Sequence, residues 1–151
     1  MTTSPSLRFD YLEVAQEYAA DAALWRLTPK FTAGPPWHGR IASDVDYEVW
    51  LYTWLPGQGT DLHDHGPSAG AVAVASGTLV ENALNGGVLT LTPGEGRRFS
   101  ARHLHRFHNP GTENAVSVHV FGPALQLTTH YRIEHNRHLV TVAVDRAGVQ
   151  W

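Results

Sequence analysis

Three histidines in two short segments of the sequence have the spacing expected of a metal site. His63 and His65 flank Asp64 after an apolar stretch, and His105 follows in a second histidine-rich segment. Side chains at positions i and i+2 of an extended strand point to the same side, so one strand can present both imidazoles to one ion. A third imidazole from a neighbouring strand completes a set of three ligands and leaves coordination positions open. The pattern therefore predicts a metal bound between strands.

The choice of the third ligand stays open on spacing alone. His103 and His105 share one face of the strand predicted around them, and periodicity does not choose between them. Asn109, four residues after His105, favours His105. The alternative for His63 and His65 is a place in a surface loop, but the preceding turn, the spacing and the downstream partner favour metal ligation.

The elements that carry these histidines are predicted to be short strands. Apolar residues at helical spacing predict a helical segment over about residues 10–26, with Asp10 as its N-cap. From Asp46 onward the period changes to two, and Asn85-Gly86 is a strong hairpin turn signal. Many short strands separated by turns predict an all-β barrel or sandwich. Strands are predicted at 47–55, 70–75, 78–84, 87–92, 97–108, 115–121 and 139–144.

Composition narrows the class of protein. The chain has 151 residues, 42% of them apolar and 17% charged, which favours one globular domain over 1–151 with a barrel at about 37–145. A net charge of −3 without a basic run argues against nucleic acid or an anionic membrane as a partner. The chain has no cysteine, which excludes disulfides and thiolate ligands and fits a cytoplasmic protein. Neither a signal peptide nor a membrane-spanning segment is predicted.

Two further patterns have ordinary structural interpretations. His130, His135 and His138 lie in a polar stretch and are expected to be exposed. The aromatic residues of the strand at 47–55 alternate, which predicts one face in the core and one against the helix rather than a stacking platform.

The histidine segments resemble the two sequence motifs of the cupin superfamily. Gly57, His63-Asp64-His65 and Gly77 have the spacing of the first motif, and His105-Arg106-Phe107-His108-Asn109 matches the end of the second. The resemblance implies a single jelly-roll barrel. The glutamate of the first motif is replaced by Gly70, and the Pro-x-Gly that precedes the histidine of the second motif is absent. Without that glutamate, the resemblance implies a neutral site of three histidines.

A more specific resemblance covers roughly residues 10–131. The chain is similar to bacterial cysteine dioxygenase type I, a thiol dioxygenase within the cupin superfamily. Four elements carry the resemblance and occur in the same order: Trp37-His38-Gly39-Arg40, His63-Asp64-His65-Gly66, His105-Arg106-Phe107-His108-Asn109 and Ser117-Val118-His119-Val120-Phe121-Gly122-Pro123.

The resemblance implies how metal and substrate are held. His63, His65 and His105 would be the Fe(II) ligands, and Arg40 would bind the substrate carboxylate, for which a guanidinium is well shaped. Without the family pattern, Arg40 would be an ordinary surface residue. Rival carboxylate partners are Arg97, Arg98, Arg102, Arg106 and Arg132.

The resemblance also implies a hydrogen-bonded line beside the metal. Ser117 and His119 would belong to it, and in the family it ends in a tyrosine whose hydroxyl lies near the iron. Here the line ends in Phe121, so the side chains still alternate along one strand face while the hydroxyl is lost. Tyr52 or Tyr131 would be a substitute source of that hydroxyl.

The implied activity is the Fe(II)-dependent addition of O2 to the sulfur of a small thiol carboxylate, with L-cysteine converted to cysteine sulfinate. Phe121 keeps 3-mercaptopropionate or another thiol open as the substrate. A non-catalytic cupin that binds a metal or ligand, and a different metal-dependent reaction such as isomerisation, are further alternatives. The expected partners are the small thiol and O2. The expected oligomeric state is a monomer or a small homo-oligomer, and the expected location is the cytoplasm.

Overall fold

Two antiparallel β-sheets packed face to face form the body of the protein. The computed structural model describes residues 10–84 and 87–147. One sheet has the order β1-β2-β9-β4-β7 and the other β11-β10-β3-β8-β5-β6, which confirms the predicted all-β class. The strands are β1 (His38–Ser43), β2 (Glu48–Trp54), β3 (Leu62–Asp64), β4 (Ala69–Ser76), β5 (Leu79–Ala83), β6 (Gly87–Leu91), β7 (Gly96–Phe99), β8 (His105–His108), β9 (Ala115–Gly122), β10 (Leu127–Glu134) and β11 (His138–Arg146).

One α-helix, α1 (Tyr11–Ala20), precedes the sheets. The Asp10 carboxylate accepts a hydrogen bond from the Leu12 amide at 3.0 Å, which satisfies an orphan donor of the first turn and confirms the predicted N-cap. The predicted helical segment is interrupted at Asp21, whose backbone is extended, and a short 3-10 helix follows at Ala22–Leu24. Within the described residues, none of the helices is both long and apolar enough to cross a bilayer.

The alternation of β2 divides its side chains between two apolar layers. Val49 and Leu51 pack with Ala15 of the helix on the outside of the first sheet. Trp50 and Trp54 face the opposite way, into clusters between the two sheets. Full burial of such side chains contributes about 1.5–3 kcal/mol each. The predicted division into a core face and a helix face is confirmed.

The structure corrects the single strand predicted at 97–108. The chain forms β7 in the first sheet and β8 in the second, and residues 100–104 cross between them. Arg102 adopts a φ of +60°, and its amide donates a hydrogen bond to the Gly66 carbonyl at 2.9 Å. A non-glycine residue in the left-handed region is uncommon, so the sequence carried no signal for this turn.

Strand pairing brings the histidine segments together. His63 of β3 lies opposite His105 of β8 on one side and opposite His130 of β10 on the other. The stretch that contains β10 was not predicted as a strand, because much of that strand is exposed and its polar residues obscure the alternation. The predicted hairpin pairs β5 with β6, while its turn residues, Asn85-Gly86, lie outside the described residues.

Candidate metal centre

Three imidazoles converge in the interior of the barrel. His63 and His65 come from β3 and the residue after it, and His105 comes from the start of β8. One ring nitrogen of each lies within 4.8 Å of the others, and the Nε2 atoms of His65 and His105 are 3.3 Å apart. All three residues are buried, with exposed fractions of 5%, 5% and 0%. Neighbouring strands therefore bring these rings close enough to share one ion.

The outer nitrogen of each ring is already engaged. Nδ1 of His63 donates to the Asp61 carbonyl at 2.9 Å, and Nδ1 of His105 donates to the Glu81 carboxylate at 2.6 Å. Nδ1 of His65 is 3.3 Å from the Thr128 hydroxyl, which can accept in the same way. A carbonyl and a carboxylate accept only, so Nε2 of His63 and His105 carries a lone pair instead of a proton.

The electrostatic environment keeps these rings neutral. Burial lowers the pKa of His63 and His65 well below the usual value, and each neighbouring imidazole lowers it further. Burial also lowers the pKa of His105, although its hydrogen bond to Glu81 acts in the opposite direction. Neutral imidazoles are metal ligands, and converging buried lone pairs are stabilised by a cation between them. The donor set therefore fits a divalent transition metal such as iron.

A cavity of about 190 Å³ lies beside His63 and His65. His63 and His65 form part of its wall, and aromatic rings including Tyr52, Trp54 and Phe107 form much of the rest. In the described part of the chain, no lysine or arginine lines it. The space suits a small molecule that approaches the metal position through a largely apolar environment.

A buried hydrogen-bonded line runs along the inner face of β9. The Trp54 indole donates to the Ser117 hydroxyl at 2.9 Å, and that hydroxyl is 2.8 Å from Nε2 of His119. Burial lowers the pKa of His119 to about 3, so the ring is neutral and can accept the hydroxyl proton. Phe121 follows on the same face and packs against His65 with ring centroids 4.5 Å apart. The position at which the resemblance implies a tyrosine is thus a buried apolar contact here.

Removal of the Ser117 hydroxyl is expected to destabilise the fold. Ser117→Ala leaves the Trp54 indole donor and Nε2 of His119 without their partner in a buried environment. Each unsatisfied buried group costs about 1–3 kcal/mol. Urea unfolding, with the solvent-exposed Ser43→Ala on β1 as control, should show a loss of about 2–6 kcal/mol in the free energy of unfolding for Ser117→Ala alone. An unchanged midpoint would contradict the buried line.

Arg40, expected to bind the substrate carboxylate, has a partner within the protein. Its guanidinium lies 2.8 Å from the buried Glu48 carboxylate, and its side chain is 54% exposed. Glu48 also accepts a hydrogen bond from the Leu125 amide at 2.9 Å. Arg40 does not line the cavity, although His38, two residues earlier on β1, does. Substrate binding by Arg40 stays a prediction, and it requires the guanidinium to exchange Glu48 for the substrate.

The two tyrosines considered as substitutes for the lost hydroxyl differ in position. Tyr131 donates a hydrogen bond to the Asp64 carboxylate at 2.6 Å and does not line the cavity. Tyr52 lines the cavity, and its ring lies against His119 with centroids 4.3 Å apart. Burial raises the pKa of Tyr52, so its hydroxyl stays protonated at neutral pH. Tyr52 is the better placed of the two.

Sequence reasoning missed Glu81 and misjudged His130. Glu81 is fully buried on β5, and the signal for it was a charged residue that alternation places on the same inward side as Leu79. His130 was expected to be exposed with His135 and His138. Those two are exposed, but the His130 side chain is only 21% exposed and lines the cavity.

His130 is held between two carboxylates. Its Nδ1 and Nε2 lie 2.7 Å from Asp61 and 2.8 Å from Asp145, respectively. Burial lowers its pKa, but these two hydrogen bonds outweigh that effect and raise it above the usual value. The pairing of β10, which the sequence did not predict as a strand, with β3 and β11 brings these groups together.

The chain is similar to known proteins in sequence and in fold. A family model described as cysteine dioxygenase type I matches residues 10–134. A solved protein with a double-stranded β-helix domain from Klebsiella pneumoniae is 20% identical, with a TM-score of 0.59 over 90% of this chain and 97% of that one. A solved protein from Thermus thermophilus is 21% identical, with a TM-score of 0.58 over 63% and 90%. A sugar phosphate isomerase of the cupin superfamily from Silicibacter pomeroyi is 24% identical, with a TM-score of 0.51 over 68% of each chain. These likenesses confirm the cupin fold.

Proposed function

The chain belongs to the cysteine dioxygenase type I family, and we propose that it is an Fe(II)-dependent thiol dioxygenase that adds both atoms of O2 to the sulfur of a small thiol. L-cysteine is the substrate proposed first, with cysteine sulfinate as the product. The observation that carries the proposal is the convergence of His63, His65 and His105 with every Nδ1 engaged. We further propose that the protein acts in the cytoplasm. A chain without cysteine forms no disulfide bonds, so it needs no oxidising compartment.

Iron bound by three neutral imidazoles would supply open positions for the thiolate and O2 and the electrons that activate O2. The residues of the chain supply the surroundings. His63, His65 and His105 would hold the ion at the wall of the cavity, and the aromatic lining would keep water away from the sulfur. His119, fixed by Ser117, would present an uncharged ring beside the reacting atoms.

Two substrate classes follow from the surroundings of Arg40. For a thiol carboxylate such as cysteine or 3-mercaptopropionate, Arg40 would leave Glu48 and bind the carboxylate with a bidentate pair. For a thiol without a carboxylate, the Arg40–Glu48 pair would stay intact. Arg40 is already paired with Glu48, and among the described residues no lysine or arginine lines the cavity. These two observations support a thiol without a carboxylate as the alternative substrate.

Oxygen consumption by the iron-loaded protein tests the proposal. The panel comprises L-cysteine, 3-mercaptopropionate and 2-aminoethanethiol, with serine as a control that lacks sulfur. One thiol should consume one O2 per sulfinate formed, and serine should consume none. Consumption with none of the thiols by protein that contains iron would reject the dioxygenase and favour a cupin that binds without turnover.

The hydroxyl lost at Phe121 gives a kinetic prediction. If Tyr52 supplies a proton at the cavity wall, Tyr52→Phe lowers kcat about 100-fold while iron content stays the same. Phe121→Tyr is the complementary change, because it restores the hydroxyl at the family position, and it should alter kcat with cysteine. The measurement is kcat of both variants from steady-state kinetics at equal iron content. Unchanged kcat in both would mean that neither hydroxyl position affects turnover.

A further inference from the structure

A buried carboxylate stands directly behind one of the three histidines. Glu81 lies on β5, next to β8, and none of its surface is exposed. An uncompensated charge in such a place is strongly destabilising, so buried carboxylates are paired. Oε2 of Glu81 accepts a hydrogen bond from Nδ1 of His105 at 2.6 Å, and Oε1 lies 2.7 Å from the Arg97 guanidinium. The Arg97 contact is an ion pair without the alignment of a hydrogen bond.

The partners of Glu81 keep it ionised. The Arg97 guanidinium places an opposing positive charge 2.7 Å from one oxygen of Glu81, and the other oxygen accepts the hydrogen bond from His105. An ionised carboxylate accepts only, so the proton of His105 is held on Nδ1 and the lone pair of Nε2 points toward His65. In metal sites this arrangement fixes the ring and increases the basicity of the ligand nitrogen.

Glu81, His103 and His105 also form a cluster that could be interpreted as a second metal site. The distances argue against that interpretation. Two atoms that bind one transition metal at about 2.1 Å each are separated by about 3 Å or more. Oε2 of Glu81 and Nδ1 of His105 are 2.6 Å apart, which is the separation of a charge-assisted hydrogen bond. These two atoms therefore share a proton.

We propose that Glu81 is a positioning residue that holds His105 for the metal and supplies, through that ring, the negative charge that the cupin first motif would place at Gly70. The ligand set stays three neutral imidazoles, while a carboxylate one hydrogen bond away increases the electron density of the site. The proposal rests on the metal centre of the proposed function, but it does not depend on thiol oxidation.

Metal affinity without turnover tests the proposal. Glu81→Gln keeps the shape of the side chain and removes its charge. Its affinity for Co(II), titrated into apo-protein against a chelator, should fall about 10–100-fold. Glu48→Gln is the matched control, because Glu48 is also buried and paired with an arginine but contacts none of the three histidines. Equal affinity of Glu81→Gln and wild type, or an equal loss in Glu48→Gln, would overturn the proposal.

The midpoint potential of bound iron separates a charge effect from a loss of packing. Loss of the Glu81 charge favours Fe(II), so the potential of Glu81→Gln should rise. Arg97→Gln removes the opposing cation from a side chain that is 29% exposed, while the hydrogen bond from His105 to Glu81 remains, and it is the second variant if Glu81→Gln does not fold. Its potential should fall. Shifts of the same sign in both variants, or no shift, would overturn the proposal, whereas wild type that binds metal but oxidises no thiol would reject only the proposed function.

Discussion

His105→Ala is expected to abolish stoichiometric iron binding and to lower thiol-dependent O2 consumption by more than about 100-fold. Loss of a residue that merely orients a ligand costs 10–100-fold in metal affinity or activity, and loss of the ligand itself costs more. His105 is fully buried between His65 and Glu81, so no exposed side chain can replace its ring. The measurements are iron content per chain after anaerobic reconstitution and the initial rate with the best thiol.

Two histidines close to His105 in the sequence serve as controls. His108 lies on the same strand, but its side chain is exposed, and His108→Ala should keep iron and activity. His103 is 17% exposed and lies 3.5 Å from Glu81, and His103→Ala should largely keep iron. His63→Ala removes a different ligand without touching Glu81 and should lose iron as His105→Ala does. Retention of iron by His105→Ala together with its loss in His103→Ala would reassign the third ligand.

Gly70→Ala is expected to destabilise the protein by about 3 kcal/mol or more, because it overpacks a closed interior. A Cβ at this position would lie 1.8 Å from the Val120 carbonyl oxygen and 2.8 Å from Phe99. The first contact is with the backbone of the neighbouring strand β9, which cannot move without opening the sheet. A loss of this size lowers the Tm of a chain of this length by about 6–12 °C.

The same crowding leaves no room at Gly70 for the carboxylate side chain of the first cupin motif. Gly70→Glu should unfold the protein instead of adding a fourth ligand. Gly111→Ala is the matched control, because a Cβ there would meet nothing closer than 3.5 Å. Thermal unfolding followed by circular dichroism compares the three variants. If Gly70→Ala were as stable as Gly111→Ala, β4 and β9 would have room for a Cβ at position 70, which would contradict the close packing of these strands.

The shared orientation of His63 and His65 was predictable because it depends on local sequence alone. Alternation along an extended strand places His63 and His65 on one side whatever surrounds them. The division of β2 into an outer face toward the helix and an inner aromatic face has the same origin. Such patterns depend on period two alone, which the sequence displays directly.

The features of the fold and site that the sequence did not predict depend on contacts between segments that are distant in the chain. The turn at Arg102 separates β7 from β8, and the Arg102 amide there donates a hydrogen bond to the Gly66 carbonyl. Nothing in the sequence of residues 97–108 predicts that Gly66 is the partner. Glu81 meets His105, and Arg40 meets Glu48, only because the strands pair as they do. A charged residue at an inward position predicts some partner, but its identity comes from the topology.

The X-ray absorption spectrum of the Fe(II)-loaded protein reports directly which atoms bind the iron. We expect one iron per chain, coordinated by three imidazole nitrogens at about 2.1 Å. We also expect the spectrum to change when a thiol is added, because open positions accept the sulfur. A spectrum with fewer than three imidazoles, or a chain that retains no iron under these conditions, would contradict the three-histidine centre.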